Sequence, residues 1–307
     1  MANEYLKVLS NYNNLDLVGI FSRTFSKAEN LKNIYKIKKN FTSIIDLFEQ
    51  TKPDIVIVTV PGDHMYRTCE QLIEFPCLIF IEKPPGINFK EYKKLLSLSQ
   101  SKKQNIYVGM NRRYFSSTLN LIRRIEKIKE PRSIQIYDQQ DTITAKKKGK
   151  SKKLLSNWMY ANSIHLVDYI SFLSRGKIKK IIFTSKNKNE INCSLNFSSG
   201  DTVNYISRWN KPGPWQVKVS TKKFYFEMSP LEILRIKSEF NRKNIYLDMS
   251  KEDKKFKTGL KLQVEDLVKV FLKKKNNLVD LKRMYKTMYL INKIYSKWIK
   301  QNQKIYF

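Results

Sequence analysis

The chain has 307 residues, 41% hydrophobic and 28% charged, with nine Gly and nine Pro. This is enough apolar side chain for a sizeable core, and it excludes a disordered or collagen-like polymer. No apolar run nears the ~18 residues of a membrane helix, and three unpaired-looking cysteines with two histidines give neither a disulfide framework nor a metal site. In chain order, Leu15–Ser22 reads as a strand, and Ser26 with Glu29 as a capping box opening a helix. Thr42–Gln50 is a short helix. Asp54–Val60 is a β-branched run of the kind buried on both faces of a parallel sheet. A helix from His64 to Phe75 follows, then strand Cys77–Glu82, a capped helix opened by Asn88 and Glu91, and strand Asn105–Met110. Strand–helix alternation with short connections predicts a doubly wound α/β domain over residues 1–112.

Residues 113–307 change character. Ser133–Gln139 is a strand, and Lys146–Lys153 a mobile basic loop. Trp158 to Ser174 is a helix with Asn162, His165 and Asp168 on one face. From Ile178 to Leu247 strand patterns succeed one another: Lys179–Thr184, Ile191–Phe197, Thr202–Trp209, Trp215–Ser220 and Phe224–Met228. An antiparallel sheet is expected, making this a second α/β domain. Two helices close the chain, Leu260–Phe271 and one with Leu281, Met284, Met288, Ile291, Tyr295 and Trp298 on a helical period.

Lys and Arg number 59 against 27 acidic residues, a formal charge of +32. That raises binding to nucleic acid or another anionic polymer. The lysines, however, are spread over almost every helix and loop, and Lys, Asn and Ile share A/T-dominated codons. No zinc-finger spacing or aromatic-interleaved RNA motif accompanies them. A solvated basic surface is therefore preferred to a nucleic-acid site. The first residues lack the apolar stretch of a secretory leader, so a cytoplasmic protein with no membrane partner is expected.

Ile81-Glu82-Lys83-Pro84-Pro85-Gly86 ends one strand, Val58-Thr59-Val60-Pro61 the preceding one and Gly109-Met110-Asn111-Arg112-Arg113-Tyr114 the next. Asn162-Ser163-Ile164-His165-Leu166-Val167-Asp168 follows in the second half. In order and spacing these motifs resemble the Gfo/Idh/MocA oxidoreductases, relatives of glucose–fructose oxidoreductase and inositol dehydrogenase. The resemblance implies a Rossmann domain, a second domain with a large open sheet, a nicotinamide cofactor and homo-oligomers built through those sheets. It implies that Lys83 orients or polarises the reacting oxygen and that His165 exchanges a proton with the substrate hydroxyl. Ser22, Arg23, Thr24, Val60, Pro61, His64, Glu82, Lys83 and Arg112 become cofactor-binding candidates beyond the carboxyl ends of strands. Tyr114, Asn162 and Asp168 become substrate-side candidates, Asp168 either orienting the His165 ring or standing exposed on its helix. NAD and NADP both fit. Ser22-Arg23-Thr24, where NAD-preferring proteins place an acid, favours NADP slightly, with Arg23 as a plain surface residue the alternative.

Two departures qualify the resemblance. No G-x-G-x-x-G occurs in the 307 residues, and residues 3–10 resemble the remainder of a first Rossmann helix. The expectation is that the strand and phosphate loop are lost by truncation or by a misplaced start, leaving dinucleotide poorly anchored. Where inositol-dehydrogenase-like members carry an aspartate one turn before the histidine, Ala161 stands. The expected activity is oxidation or reduction at a hydroxyl or keto group of a sugar or sugar nucleotide, with a role in surface-polysaccharide synthesis. The alternative is an impaired or inactive relative serving as a binding or subunit protein.

Overall fold

The computed structural model of the chain describes residues 1–187, 189–239, 241–296 and 298. It is an α/β protein of two compact units. The first comprises Met1–Gly86, Lys90–Asn111 and Glu252–Arg283; the second Ile87–Phe89, Arg112–Lys251 and the chain from Met284. The chain leaves the first unit after Asn111 and returns to it for Glu252–Arg283.

In the first unit α1 (Ala2–Leu9), β1 (Gly19–Phe21), α2 (Phe25–Tyr35), β2 (Lys39–Phe41), α3 (Ile44–Thr51), β3 (Ile55–Val58), α4 (Gly62–Leu72), β4 (Leu78–Glu82), α5 (Phe89–Ser101) and β5 (Ile106–Gly109) alternate as expected, with the three-residue β2 an addition to the strands read from sequence. β1 and β2 pair in parallel as a two-stranded sheet, while β3, β4 and β5 form a separate parallel run. β3 is thus an edge strand, and its Ile55, Val56 and Ile57 are only half-buried, whereas Ile79, Phe80 and Ile81 of central β4 are wholly buried. The run expected to be buried on both faces lacks a neighbour on one side. Ser26 is not a cap either. Helix α2 starts a residue before it with Thr24 at the N-cap, and Glu29 instead binds Lys32 and Asn40. α3 is capped as its sequence suggests, Ser43 Oγ accepting from Asp46 N–H.

The second unit opens with a 3₁₀ turn (Asn111–Tyr114) and α6 (Ser116–Ile125), then β6 (Ser133–Gln140). The Lys-rich stretch is a loop only over residues 148–151, its two ends lying in short helices. α7 (Thr142–Lys147) and α8 (Lys152–Ser156) are each started by a side-chain cap, Asp141 and Ser151, which competes well with disorder even in a basic segment. A π turn (Met159–Ser163) leads into α9 (Ile164–Leu173). β7 (Ile178–Asn187), β8 (Glu190–Phe197), β9 (Thr202–Trp209), β10 (Trp215–Ser220), β11 (Phe224–Met228), β12 (Leu234–Ser238) and β13 (Asn241–Leu247) complete an eight-stranded sheet of order β13-β12-β11-β10-β6-β9-β8-β7. It is antiparallel except where β6 runs parallel to β9. α9 covers one face through Ile164, Leu166, Val167, Tyr169 and Ile170, all buried.

α10 (Lys251–Lys255), α11 (Leu260–Phe271) and the two-residue strand β14 (Val279–Asp280) return to the first unit, where β14 pairs antiparallel with the outer edge of β5. α12 (Leu281–Ile294) leads the chain back into the second unit, burying Met284, Met288, Ile291 and Ile294 on one stripe. No described helix is long and apolar enough to cross a membrane.

Candidate active site

In the first unit the candidates stand at the carboxyl ends of parallel strands. Ser22, Arg23 and Thr24 follow β1; the Ser22 hydroxyl accepts from Thr24 N–H at 3.1 Å, and Arg23 and Thr24 are exposed. Val60 and Pro61 follow β3, with Pro61 the N-cap of α4 and His64 half-buried in its first turn. Lys83 follows β4, half-buried, joined to Pro84 by a cis peptide bond. Gly86 ends this segment as a steric necessity: a Cβ there would lie 2.6 Å from the Tyr92 backbone nitrogen.

Glu82 turns the other way, into the core. It is 6% exposed, and Tyr5 Oη of α1 donates to its Oε1 at 2.5 Å. Having given its one proton to Glu82, the Tyr5 hydroxyl must accept from Gln263 of α11. The Gln263 amide so oriented donates to Tyr5 Oη at 3.1 Å and accepts from the Met110 and Asn111 N–H groups at 3.0 and 3.2 Å. Burial raises the Glu82 carboxyl pKa, against the lowering pull of the Tyr5 bond, Lys83 and Lys257; burial and Glu82 together push the Tyr5 phenol well up. The glutamate of the Glu-Lys-Pro motif thereby ties the ends of β4 and β5 together from within. Tyr5 and Gln263 are missing from the sequence reading, since nothing in their local pattern connects α1 with α11.

In the second unit Asn162, His165 and Asp168 do not share one regular helical face, because Asn162 falls in the wider π turn that precedes α9. Asn162 Nδ2 donates to Gln140 Oε1 at 2.8 Å, as does Trp158 Nε1. Gln140 is held in turn by Asp138 Oδ1, and Asp138 Oδ2 accepts from Tyr205, itself 2.8 Å from Tyr295. Burial raises the Asp138 pKa, while its bonds to Tyr205, Ser163 and Gln140 lower it. The sequence signal for this network is alternation: Ile134, Ile136, Asp138 and Gln140 occupy the inward positions of β6, two of them polar.

His165 is buried in α9 at 5% exposure, and Tyr114 is buried in the 3₁₀ turn. Asp168 is not an exposed helix carboxylate. It is 2% exposed, and Arg113 Nε and Nη2 each donate to it at 2.7 Å, with Thr287 Oγ1 adding a third bond at 2.7 Å. Its oxygens are engaged by protein partners. Ala161 packs with Ile87, Leu154 and Trp158 in an apolar cluster. Arg112 stands on the second unit's side of the boundary, over the ring of Trp215.

Residues 1–110 match the model of the oxidoreductase family with an NAD-binding Rossmann fold, GFO_IDH_MocA. This segment is a Gfo/Idh/MocA-type Rossmann domain. Solved structures extend the likeness of fold to nearly the whole chain. A dehydrogenase from Chromobacterium violaceum is 14% identical, covers 99% of this chain and 94% of its own, and superposes with a TM-score of 0.83. A UDP-N-acetylglucosamine 3-dehydrogenase from Acidithiobacillus ferrooxidans is 16% identical over 97% and 94%, TM-score 0.76. The WlbA dehydrogenase of Chromobacterium violaceum, solved with NADH and UDP-GlcNAcA, is 13% identical over 98% and 91%, TM-score 0.76. No curated protein matches the chain by sequence. The Glu-Lys-Pro motif thus ends a parallel strand inside the segment that the family model matches.

Proposed function

We propose that the chain is an NAD(P)-dependent oxidoreductase acting on a hydroxyl or keto group of a sugar or sugar nucleotide, in the cytoplasm and in surface-polysaccharide synthesis. The observation that carries the reading is the Glu82-Lys83 pair at the carboxyl end of β4 within the family-matched segment. There the buried glutamate fixes the strand end and leaves the lysine half-buried beyond it. The sugar-nucleotide chemistry named for two structural neighbours supports the substrate class.

Ser22, Arg23 and Thr24 would hold the adenosine ribose, the Arg23 guanidinium suiting a 2′-phosphate and so NADP over NAD. Val60, Pro61, His64 and Lys83 would line the path towards the nicotinamide. The exposed donors after β1 and the half-buried cation after β4 fit such a group. The nicotinamide, when bound, supplies or takes the hydride. Lys83 polarises the reacting oxygen, and His165 takes the hydroxyl proton on oxidation and returns it on reduction. Tyr114 and Asn162 face the substrate side. Asp168, locked by Arg113 and Thr287, acts on α9 rather than on substrate. Homo-oligomers form through the outward face of the large sheet, where Gln135, Tyr137, Asn204 and Lys218 lie half-buried.

The test is nicotinamide absorbance with NADH and NADPH against a panel of UDP-, GDP- and dTDP-sugars and their keto forms. Turnover of one substrate class, lost in His165→Ala, is expected; silence across the panel overturns the reading. One observation favours a second reading, a non-catalytic binding or subunit protein. Ala161, where the resembling family has a carboxylate, is absorbed into an apolar cluster.

A further inference from the structure

The other half-buried and buried arginines described in the second unit have hydrogen-bond acceptors. Arg113 is paired with Asp168, Arg175 with Asp201 and Arg235 with Glu227. Arg132 donates to the Leu173 and Ile125 carbonyls, and Arg124 to Asn120. Arg112 differs. Its Nη1 is closed off from solvent with no acceptor. Its guanidinium carbon sits 4.0 Å from the centre of the Trp215 ring, and that ring is held by the bond from Trp215 Nε1 to the Gln139 carbonyl. Of the acids near it, Asp138 is committed to Tyr205 and Gln140, and neither Asp138 nor Glu232 forms an ion pair with the guanidinium. Burial lowers the Arg112 pKa to about 10, against the raising pull of Tyr169, Asp138 and Glu232.

We propose that Arg112, on its Trp215 shelf, is the counter-ion for an acidic group of the substrate, a carboxylate or a phosphate. A half-buried guanidinium with no hydrogen-bond acceptor is unfavourable, and the planar fork of donors that is left open matches either anion bidentately. Stacking on an indole fixes the plane and leaves the edge donors for the ligand. The assignment moves Arg112 from the cofactor's side to the substrate's. It names the feature that selects an acidic sugar or a sugar nucleotide over a neutral sugar. It rests on the sugar-directed reading of the function above.

The experiment is calorimetric titration of the chain, without nicotinamide, with UDP-glucuronate, UDP-glucose, glucuronate and inorganic phosphate, repeated in Arg112→Met and Arg112→Lys. The methionine variant is expected to lose on the order of 10–100-fold in affinity for the probe that carries the recognised acid, with lysine between. A loss confined to UDP-glucuronate and glucuronate assigns a sugar carboxylate. An equal loss for both UDP-sugars assigns a phosphate. Affinities within about twofold in both variants, or binding of none of the four probes to the unaltered chain, overturns the proposal; so does a separate NADPH titration in which Arg112→Met loses affinity while the four probes do not. Thermal unfolding gives a second readout: Arg112→Met should melt no lower than the unaltered chain, because it removes an unpaired charge. A lower melting point would make Arg112 structural and overturn the proposal. Because no turnover is measured, failure here leaves the oxidoreductase reading standing. Arg112-dependent binding with no turnover in the panel sinks that reading alone.

Discussion

Arg113 holds Asp168 with two bonds of 2.7 Å, one to each carboxylate oxygen, and so ties the 3₁₀ turn after β5 to the middle of α9 across 55 residues of sequence. Breaking such a pair from one side strands the other charge in the interior. Asp168→Ala should therefore cost about 3–5 kcal/mol of unfolding free energy. Asp168→Asn, which keeps an acceptor for Thr287, should cost less. Urea unfolding of both variants checks the order, and equal stability of all three proteins would contradict it.

Burial raises the Glu82 pKa, so the folded state holds the proton more tightly than the unfolded chain. Stability from this group is fully present below the unfolded carboxylate pKa and is lost as pH rises through the folded value. Glu82→Gln removes that loss while still accepting from Tyr5. The variant should gain on the unaltered chain as pH is taken from about 4 to 7, measured as the difference in denaturant midpoint. A difference independent of pH would show that Glu82 does not titrate as the burial implies.

A Cβ at Gly109 would stand 3.1 Å from Tyr5 Oη and 3.2 Å from Glu82 Oε1. Gly109→Ala should destabilise by about 1–3 kcal/mol through this crowding. In the double variant with Tyr5→Phe the nearer oxygen is gone, and the two costs should add to less than their sum. Strict additivity in a thermal-unfolding cycle would place the strain elsewhere.

Active-site substitutions separate enzyme from scaffold. His165→Ala should cut kcat on the order of 10²–10⁴-fold as the proton-transfer residue, and Lys83→Ala should also lower it. Ala161→Asp should raise turnover if the missing carboxylate limits the chemistry. Steady-state kinetics on any substrate the panel reveals decides each. A His165→Ala protein with unchanged kcat would remove that residue from the mechanism.

Arg23 is exposed just beyond β1. Arg23→Ala should weaken NADPH relative to NADH by on the order of tenfold, the value of one guanidinium–phosphate contact. Fluorescence titration with both nucleotides reads the ratio; no change in it would make Arg23 a plain surface residue.

The α/β class and the position of most elements were legible because strand–helix alternation and the two periods are local properties of the chain. Thr202–Trp209, Trp215–Ser220, Phe224–Met228 and Leu260–Phe271 fall where their patterns place them. What escaped depends on partners remote in sequence. The half-exposure of Ile55 to Ile57 follows from β3 lying at an edge, and the burial of Asp168 from Arg113 and Thr287. β12 alternates but over only four residues, Leu234–Lys237, β13 opens on four polar residues and β14 has only two, while the π turn that takes Asn162 out of the α9 register leaves no periodic mark. The motif residues could be named from their order along the chain. Gln263, which completes the support behind Glu82, sits 181 positions away from it and has no signature of its own.

The chain passes from one unit to the other five times, after Gly86, Phe89, Asn111, Lys251 and Arg283. The nucleotide-binding half is consequently not a cassette. A gene fusion or recombination event that transplanted residues 1–111 would leave behind Gln263 and the strand that closes the edge of β5. Such a transplant would expose a bare sheet edge and an unsupported Tyr5. An exchange that kept the first unit whole would have to carry Glu252–Arg283 along with residues 1–111.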